Sequence, residues 1–289
     1  MEANSLSFPE DHIWRFIVTL RAYFDAGKTE KDRGNILSVA GYLWVFEDWV
    51  KLEKKWRRIL RASGLDFFHM TDFETYNPPY EKWTPRQHLA VITRLVESIT
   101  SSAAVGMAAA VVIDDYSKIA PRATPQAQIR SAYRLAAAWC MGRIAGWLRD
   151  RRIAESVSYI FEAGDKGQGY LNQVVVQLSA SAAFRRSMRI ENVSFEEKRK
   201  RPALQAADIF AFENNAQVQR DVGLESRPSR KSLIELQKSL QHERILFDTE
   251  GFQKYKQWMH SLGGLRFTSE VISELPRGIL SRKRRRVTP

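Results

Sequence analysis

The order in which strand and helix patterns follow one another constrains this chain most. RFIVTLRAYFD (15–25) alternates, with Phe16, Val18, Leu20, Ala22 and Phe24 on one apolar face and Ile17, Thr19, Arg21, Tyr23 and Asp25 on the other. A period of two predicts a strand, with Asp25 at its C-terminal end. The polar loop AGKTEKDRGN leads to a second strand, ILSVAGYLWV (36–45), and the pair predicts a hairpin. In EDWVKLEKKWRRILRASG (47–64) the period changes, and Trp49, Leu52, Trp56, Ile59 and Leu60 form a helical stripe. Glu47 and Asp48 suit the N-terminal dipole of that helix, and Gly64 suits its C-terminal cap.

LDFFHM (65–70) reads as a short strand. TPRQHLAVITRLVESITSS (84–102) reads as a helix capped by Thr84, with Pro85 in its first turn and Leu89, Ile92, Val96 and Ile99 on the buried side. A small-residue strand (104–114), a loop that includes Asp114 and Asp115, and a long helix (126–150) come next. Then follow a strand ending near Glu162, a glycine-rich turn holding Asp165, the helix YLNQVVVQLSAS and the short strand RIENVSF (189–195). PALQAADIFAFENNAQVQR is a helix with Pro202 at its start. Strands and helices that alternate after a hairpin predict an α/β fold with a mixed sheet flanked by helices. The expected division is a main domain over 12–222, then a helical extension with a basic tail over 223–289.

Composition narrows the functions. Apolar residues make up 44% of 289, and 8 Trp with 15 Phe can fill a core, so a disordered chain is excluded. The formal net charge of +12 favours an anionic partner, nucleic acid first. One cysteine, Cys140, permits neither a disulfide framework nor a thiolate zinc site within the chain, and its apolar surroundings make it a core residue. MEANSLSFPEDH lacks an apolar run and does not read as a signal peptide, and AVGMAAAVVI (104–113) is too short to span a bilayer. The expectation is a cytoplasmic protein with no membrane partner.

In RPALQAADIFAF (201–212), Leu204, Asp208 and Phe212 lie four apart on one helix face. Asp208 therefore points where apolar residues point, and an unpaired buried carboxylate is costly. In open α/β sheets, sites gather at the carboxyl ends of strands. Asp25, Glu162 and Asp165 sit at such ends, so with Asp208 they predict an oxygen-rich pocket for Mg²⁺ or Mn²⁺. Each has an ordinary alternative: a turn residue for Asp25 and Asp165, and an ion pair with Arg or backbone groups for Asp208. His69 is either a packed histidine or a site residue. Gln205 either orients Asp208 or is solvated. Lys198, Arg199, Lys200 and Arg201 either hold a nucleic-acid backbone beside the metal or form a solvated loop.

AYFDAG, FFHMTDF, YIFEAGD and SFEEKRKRPALQAADIFAF together resemble the Domain-of-Unknown-Function 3800 family, over roughly residues 15–220. The resemblance implies a ribonuclease H-like fold, with a strand Asp and a late helical Asp in its metal-site positions. Gln205-Ala-Ala-Asp208 carries it best. Two departures stand out. Ala26 follows Asp25 where the family has Glu, and Glu162 stands where Asp is commoner. A four-carboxylate site would then need Asp165 or Asp72. The leading expectation is a metal-dependent nuclease in which Asp25, Glu162 and Asp208 hold two Mg²⁺ ions about the scissile phosphate, while Lys198 or Arg201 offsets its charge. The alternatives are a non-catalytic nucleic-acid-binding protein of a mobile-element or defence assembly, favoured by Ala26, and a partner protein whose acidic cluster is a buried polar network. The basic run SRKRRR reads as a tail contacting phosphates.

Overall fold

The computed structural model describes residues 19–29, 35–101, 105–119, 124–164 and 182–254. Asp165, the helix expected at YLNQVVVQLSAS and the SRKRRR tail lie outside these residues. The elements run β1 (Leu20–Lys28), β2 (Ile36–Val45), α1 (Phe46–Ala62), α2 (Met70–Glu74), α3 (Pro85–Thr100), β3 (Val105–Val112), α4 (Ile113–Ile119) and α5 (Pro125–Asp150). They continue with β4 (Val157–Glu162), α6 (Ala182–Ser187), β5 (Ile190–Glu196), a 3₁₀ turn (Lys198–Lys200), α7 (Pro202–Asp221), α8 (Lys231–Ser239) and β6 (His242–Phe247).

One six-stranded sheet has the order β5-β4-β1-β2-β3-β6. β1, β2 and β3 form an antiparallel meander. β4 runs parallel to β1, β5 parallel to β4, and β6 parallel to β3. Helices cover both faces, so β2 is buried along nearly its whole length and reads as a continuous apolar run. On one face Leu20, Ala22 and Phe24 pack with Trp139, Cys140 and Ile144 of α5. On the other, Tyr23 and Tyr42 pack with Trp49 and Trp56 of α1, Leu95 of α3 and Leu204 and Phe210 of α7. Cys140 is a buried core residue whose thiol burial pushes far above its ordinary range. Among the described residues, no helix is long and apolar enough to cross a membrane.

Local sequence explains most boundaries. Thr84 accepts from the Gln87 N–H while the Gln87 side chain accepts from the Thr84 N–H, which closes a capping box on α3. Gly64, with φ +69°, supplies the left-handed residue that ends α1. Several expectations differ from the structure. β1 extends three residues past Asp25, because its antiparallel pairing with β2 continues from Asp25↔Ala40 to Lys28↔Leu37. Residues 65–69 form no strand, because side chains of α7 take the backbone N–H groups of Phe68 and Met70 that a ladder would use. Leu89 is 53% exposed; Val91, Ile92, Leu95 and Val96 carry the buried side of α3. Asp114 and Asp115 lie in the first turn of α4, not in a loop. Residues 242–247, in the segment expected to be a helical extension, form β6 and lengthen the sheet.

Candidate functional site: three carboxylates around one ammonium

The sheet brings two carboxylates to one level. The parallel β1–β4 ladder ends at Phe24↔Phe161, and the next residues are Asp25 and Glu162. Tyr23 and Ile160 belong to the core on the α7 side. By the alternation of strand side chains, Asp25 and Glu162 point to that same side. α7 lies against β1 and β2 there and is buried on almost every side from Pro202 to Asn215. Gly27 allows this approach, since a Cβ at that position would stand 2.5 Å from Asn215 Nδ2. Asp208, one turn along α7 from Leu204, completes the set.

Lys198 answers what Asp208 is paired with. Its Nζ lies 2.8 Å from Asp25 Oδ2, 3.1 Å from Glu162 Oε2 and 3.2 Å from Asp208 Oδ1. Asp208 Oδ2 also accepts the Met70 N–H at 2.7 Å, and Asp25 Oδ1 accepts the Ala26 N–H at 2.8 Å. The ammonium is at ion-pair distance from Asp25 Oδ2, a buried oxygen with no other donor among the described residues. The Asp25 and Asp208 side chains are about 1% and 8% exposed and that of Glu162 20%, so the cluster opens to solvent past Glu162.

One ammonium does not neutralise three carboxylates. Burial pushes both Asp25 and Asp208 up to about 7, against the attraction of Lys198. Burial disfavours the Lys198 charge, but Asp25, Asp208 and Glu162 more than offset it and hold the ammonium well above its ordinary range. The cluster thus sheds its excess negative charge by taking up protons as pH falls through about 7.

The surrounding residues fix this geometry. Gln205 Oε1 accepts from Trp56 Nε1 at 2.9 Å and from the Phe68 N–H at 3.0 Å, and its Nε2 donates to the Lys198 carbonyl at 3.0 Å. Gln205 therefore positions the Lys198 turn and the 65–69 segment, where the sequence suggested Asp208 as its partner. His69 caps α2 beside the cluster and shares a 2.7 Å hydrogen bond between Nδ1 and Asp72 Oδ2. Arg201 turns away to pair with Glu196. Arg199 stacks on the Phe67 ring at 4.2 Å, and Lys200 pairs with Glu197 at 2.9 Å. Sequence reasoning placed Lys198 toward a phosphate; the fold places it inside the carboxylate cluster. Nothing in the run of four basic residues distinguishes it from its neighbours.

Three carboxylate oxygens are the donor chemistry that a hard divalent cation takes. Among the described residues, no group of three or more His, Cys, Asp or Glu stands ready to hold a metal ion. The place between Asp25, Glu162 and Asp208 is filled by the ammonium. No family model matches this chain, and no curated protein matches it.

Proposed function

We propose that this protein is a divalent-metal-dependent phosphodiesterase of ribonuclease H-like fold, acting on nucleic acid. The observation that carries the reading is the convergence of Asp25, Glu162 and Asp208, from β1, β4 and α7, on one cation position. The fold reading is supported by an antiparallel meander whose first strand pairs with parallel β4, followed by β5 and a carboxylate-bearing helix. The substrate reading is supported by the net charge of +12, which attracts a polyanion.

When bound, Mg²⁺ or Mn²⁺ supplies Lewis-acid stabilisation of charge on the phosphoryl oxygens. Asp25, Glu162 and Asp208 would hold it, with Met70 N–H and Ala26 N–H orienting the carboxylates of Asp208 and Asp25. Exposed Arg199 and Lys200, beside the cluster, attract the phosphate backbone. His69, half-buried and hydrogen-bonded to Asp72, is the titratable group that would move a proton near Asp208. A Mn²⁺ titration followed by melting tests the metal site, and labelled oligonucleotides test cleavage. A cation that binds only the native state raises stability by about 2.7 kcal/mol at a hundredfold excess over Kd. Asp208→Asn keeps the shape, removes the charge and is expected to abolish both the shift and the cleavage.

Lys198 and Ala26 favour a second reading, a nucleic-acid-binding protein without catalysis in which Lys198 is the permanent counter-ion. Oligonucleotide binding with neither a Mn²⁺ shift nor cleavage selects it.

A further inference from the structure

Lys198 stands where a cation would be held, and this has consequences for how the site fills. A hard divalent cation takes oxygens at about 2.0–2.6 Å. The ammonium already lies 2.8–3.2 Å from one oxygen of each carboxylate, so the two cannot share the place. The backbone of the Lys198 turn is tied by Gln205, but the side chain is a four-carbon stem whose charged end can move.

A displaced ammonium needs another anion, and the neighbouring carboxylates are engaged. Glu196 pairs with Arg201, Glu197 with Lys200, and Asp72 with His69 and Asn77. Glu162 is the most exposed of the three carboxylates, and Arg199 and Lys200, next to Lys198 in the chain, are exposed. A phosphodiester bound along this turn would offer an oxygen to the displaced ammonium.

Resting on the metal-site reading above, we infer that Lys198 couples metal loading to the arrival of a phosphodiester: the ammonium leaves the three carboxylates for a phosphate oxygen as the cation enters. Lys198 is then a positioning residue for substrate and a gate for the metal. Without substrate the metal competes with a tethered cation and binds weakly. With substrate both ligands bind more tightly, and by linkage each raises the affinity of the other by the same factor.

The test measures Mn²⁺ affinity by electron paramagnetic resonance, on the full chain, alone and with a short phosphorothioate oligonucleotide. The control is the same sequence with an uncharged methylphosphonate backbone, and each titration is corrected for Mn²⁺ taken up by the oligonucleotide. The charged oligonucleotide is expected to tighten Mn²⁺ binding about tenfold, within the usual range of coupling between sites, and the uncharged one to leave it unchanged. Lys198→Gln is expected to bind Mn²⁺ more tightly than wild type without any oligonucleotide, and to keep only the smaller coupling that direct contact between metal and phosphate supplies. Should Lys198→Gln not fold, Lys198→Met, which keeps most of the stem and drops the charge, makes the same comparison. Equal Mn²⁺ affinity with and without charged oligonucleotide, or coupling undiminished in the Lys198 variant, overturns the inference and leaves the metal site standing. Absence of Mn²⁺ binding under every condition overturns the metal site and the inference with it.

Discussion

The Gln205 side chain donates to the Lys198 carbonyl at 3.0 Å, so the helix that supplies Asp208 also anchors the turn that supplies its counter-cation. Gln205 is 1% exposed and satisfies two further buried donors, Trp56 Nε1 and the Phe68 N–H. Gln205→Leu leaves three polar groups unpaired, at about 1–3 kcal/mol each. The expected loss in urea unfolding is at least about 3 kcal/mol. A loss below about 1 kcal/mol would show that the 65–69 segment and the Lys198 turn are held by other contacts.

The acidic cluster makes metal-free stability depend on pH in an unusual direction. Asp25 and Asp208 titrate at about 7 in the folded protein, whereas an unfolded Asp titrates near 3.9. Between those values the folded state keeps protons that the unfolded state has released. The contribution of the pair to stability therefore rises as pH falls from about 7 to about 4. The slope is up to about 1.4 kcal/mol per pH unit for each retained proton. Comparison with Asp208→Asn, in chelator, cancels most other titrations. Wild type is expected to gain on the variant between pH 8 and pH 5. A constant difference would show that Lys198 keeps both carboxylates ionised.

Tyr42 is fully buried, and its hydroxyl has no hydrogen-bond partner among the described residues. Phe210 stacks on its ring at 5.0 Å, so the packing depends on the ring and not on the oxygen. Tyr42→Phe removes an unsatisfied polar atom and is expected to leave stability unchanged or to raise it by up to about 1 kcal/mol. A clear loss in thermal melting would mean that an internal water serves this hydroxyl.

Arg143 on α5 is 3% exposed and donates through Nε to Glu243 Oε2 on β6 at 2.7 Å. Glu243→Leu strands a buried guanidinium and is expected to cost about 3 kcal/mol. Adding Arg143→Met removes the stranded charge and is expected to recover most of that loss. Failure of the double variant to recover would place the cost in β6 packing instead.

Periodicity made much of this protein legible. The alternation in 15–25 marks β1, the apolar run 36–45 is β2, and the stripe Trp49–Leu52–Trp56–Ile59–Leu60 is the buried side of α1. Asp25, Glu162 and Asp208 could be grouped because strand ends and one helix face obey local rules. The role of Lys198 could not be read, because it depends on Gln205, seven residues on, and on contacts to β1 and β4 far earlier in the chain. The strand expected at 65–70 failed for the same reason: its backbone donors go to Gln205 and Asp208. HERILF is only six residues long and follows a helix closely, so its pairing with β3 carries little local signal.

The position of β6 has a consequence for synthesis on the ribosome. β3 is an apolar strand paired on one side by β2 and on the other by His242–Phe247, from Gly106↔His242 to Val111↔Phe247. While the chain from residue 113 to residue 241 is still being made, β3 has no partner on that side. Its open backbone edge is then a template for any passing strand, including that of another nascent chain. Closing it needs a contact between distant parts of the sequence, the kind that forms slowly. Yield in cells should therefore depend on how quickly translation passes residue 247, more than on the strength of the finished core.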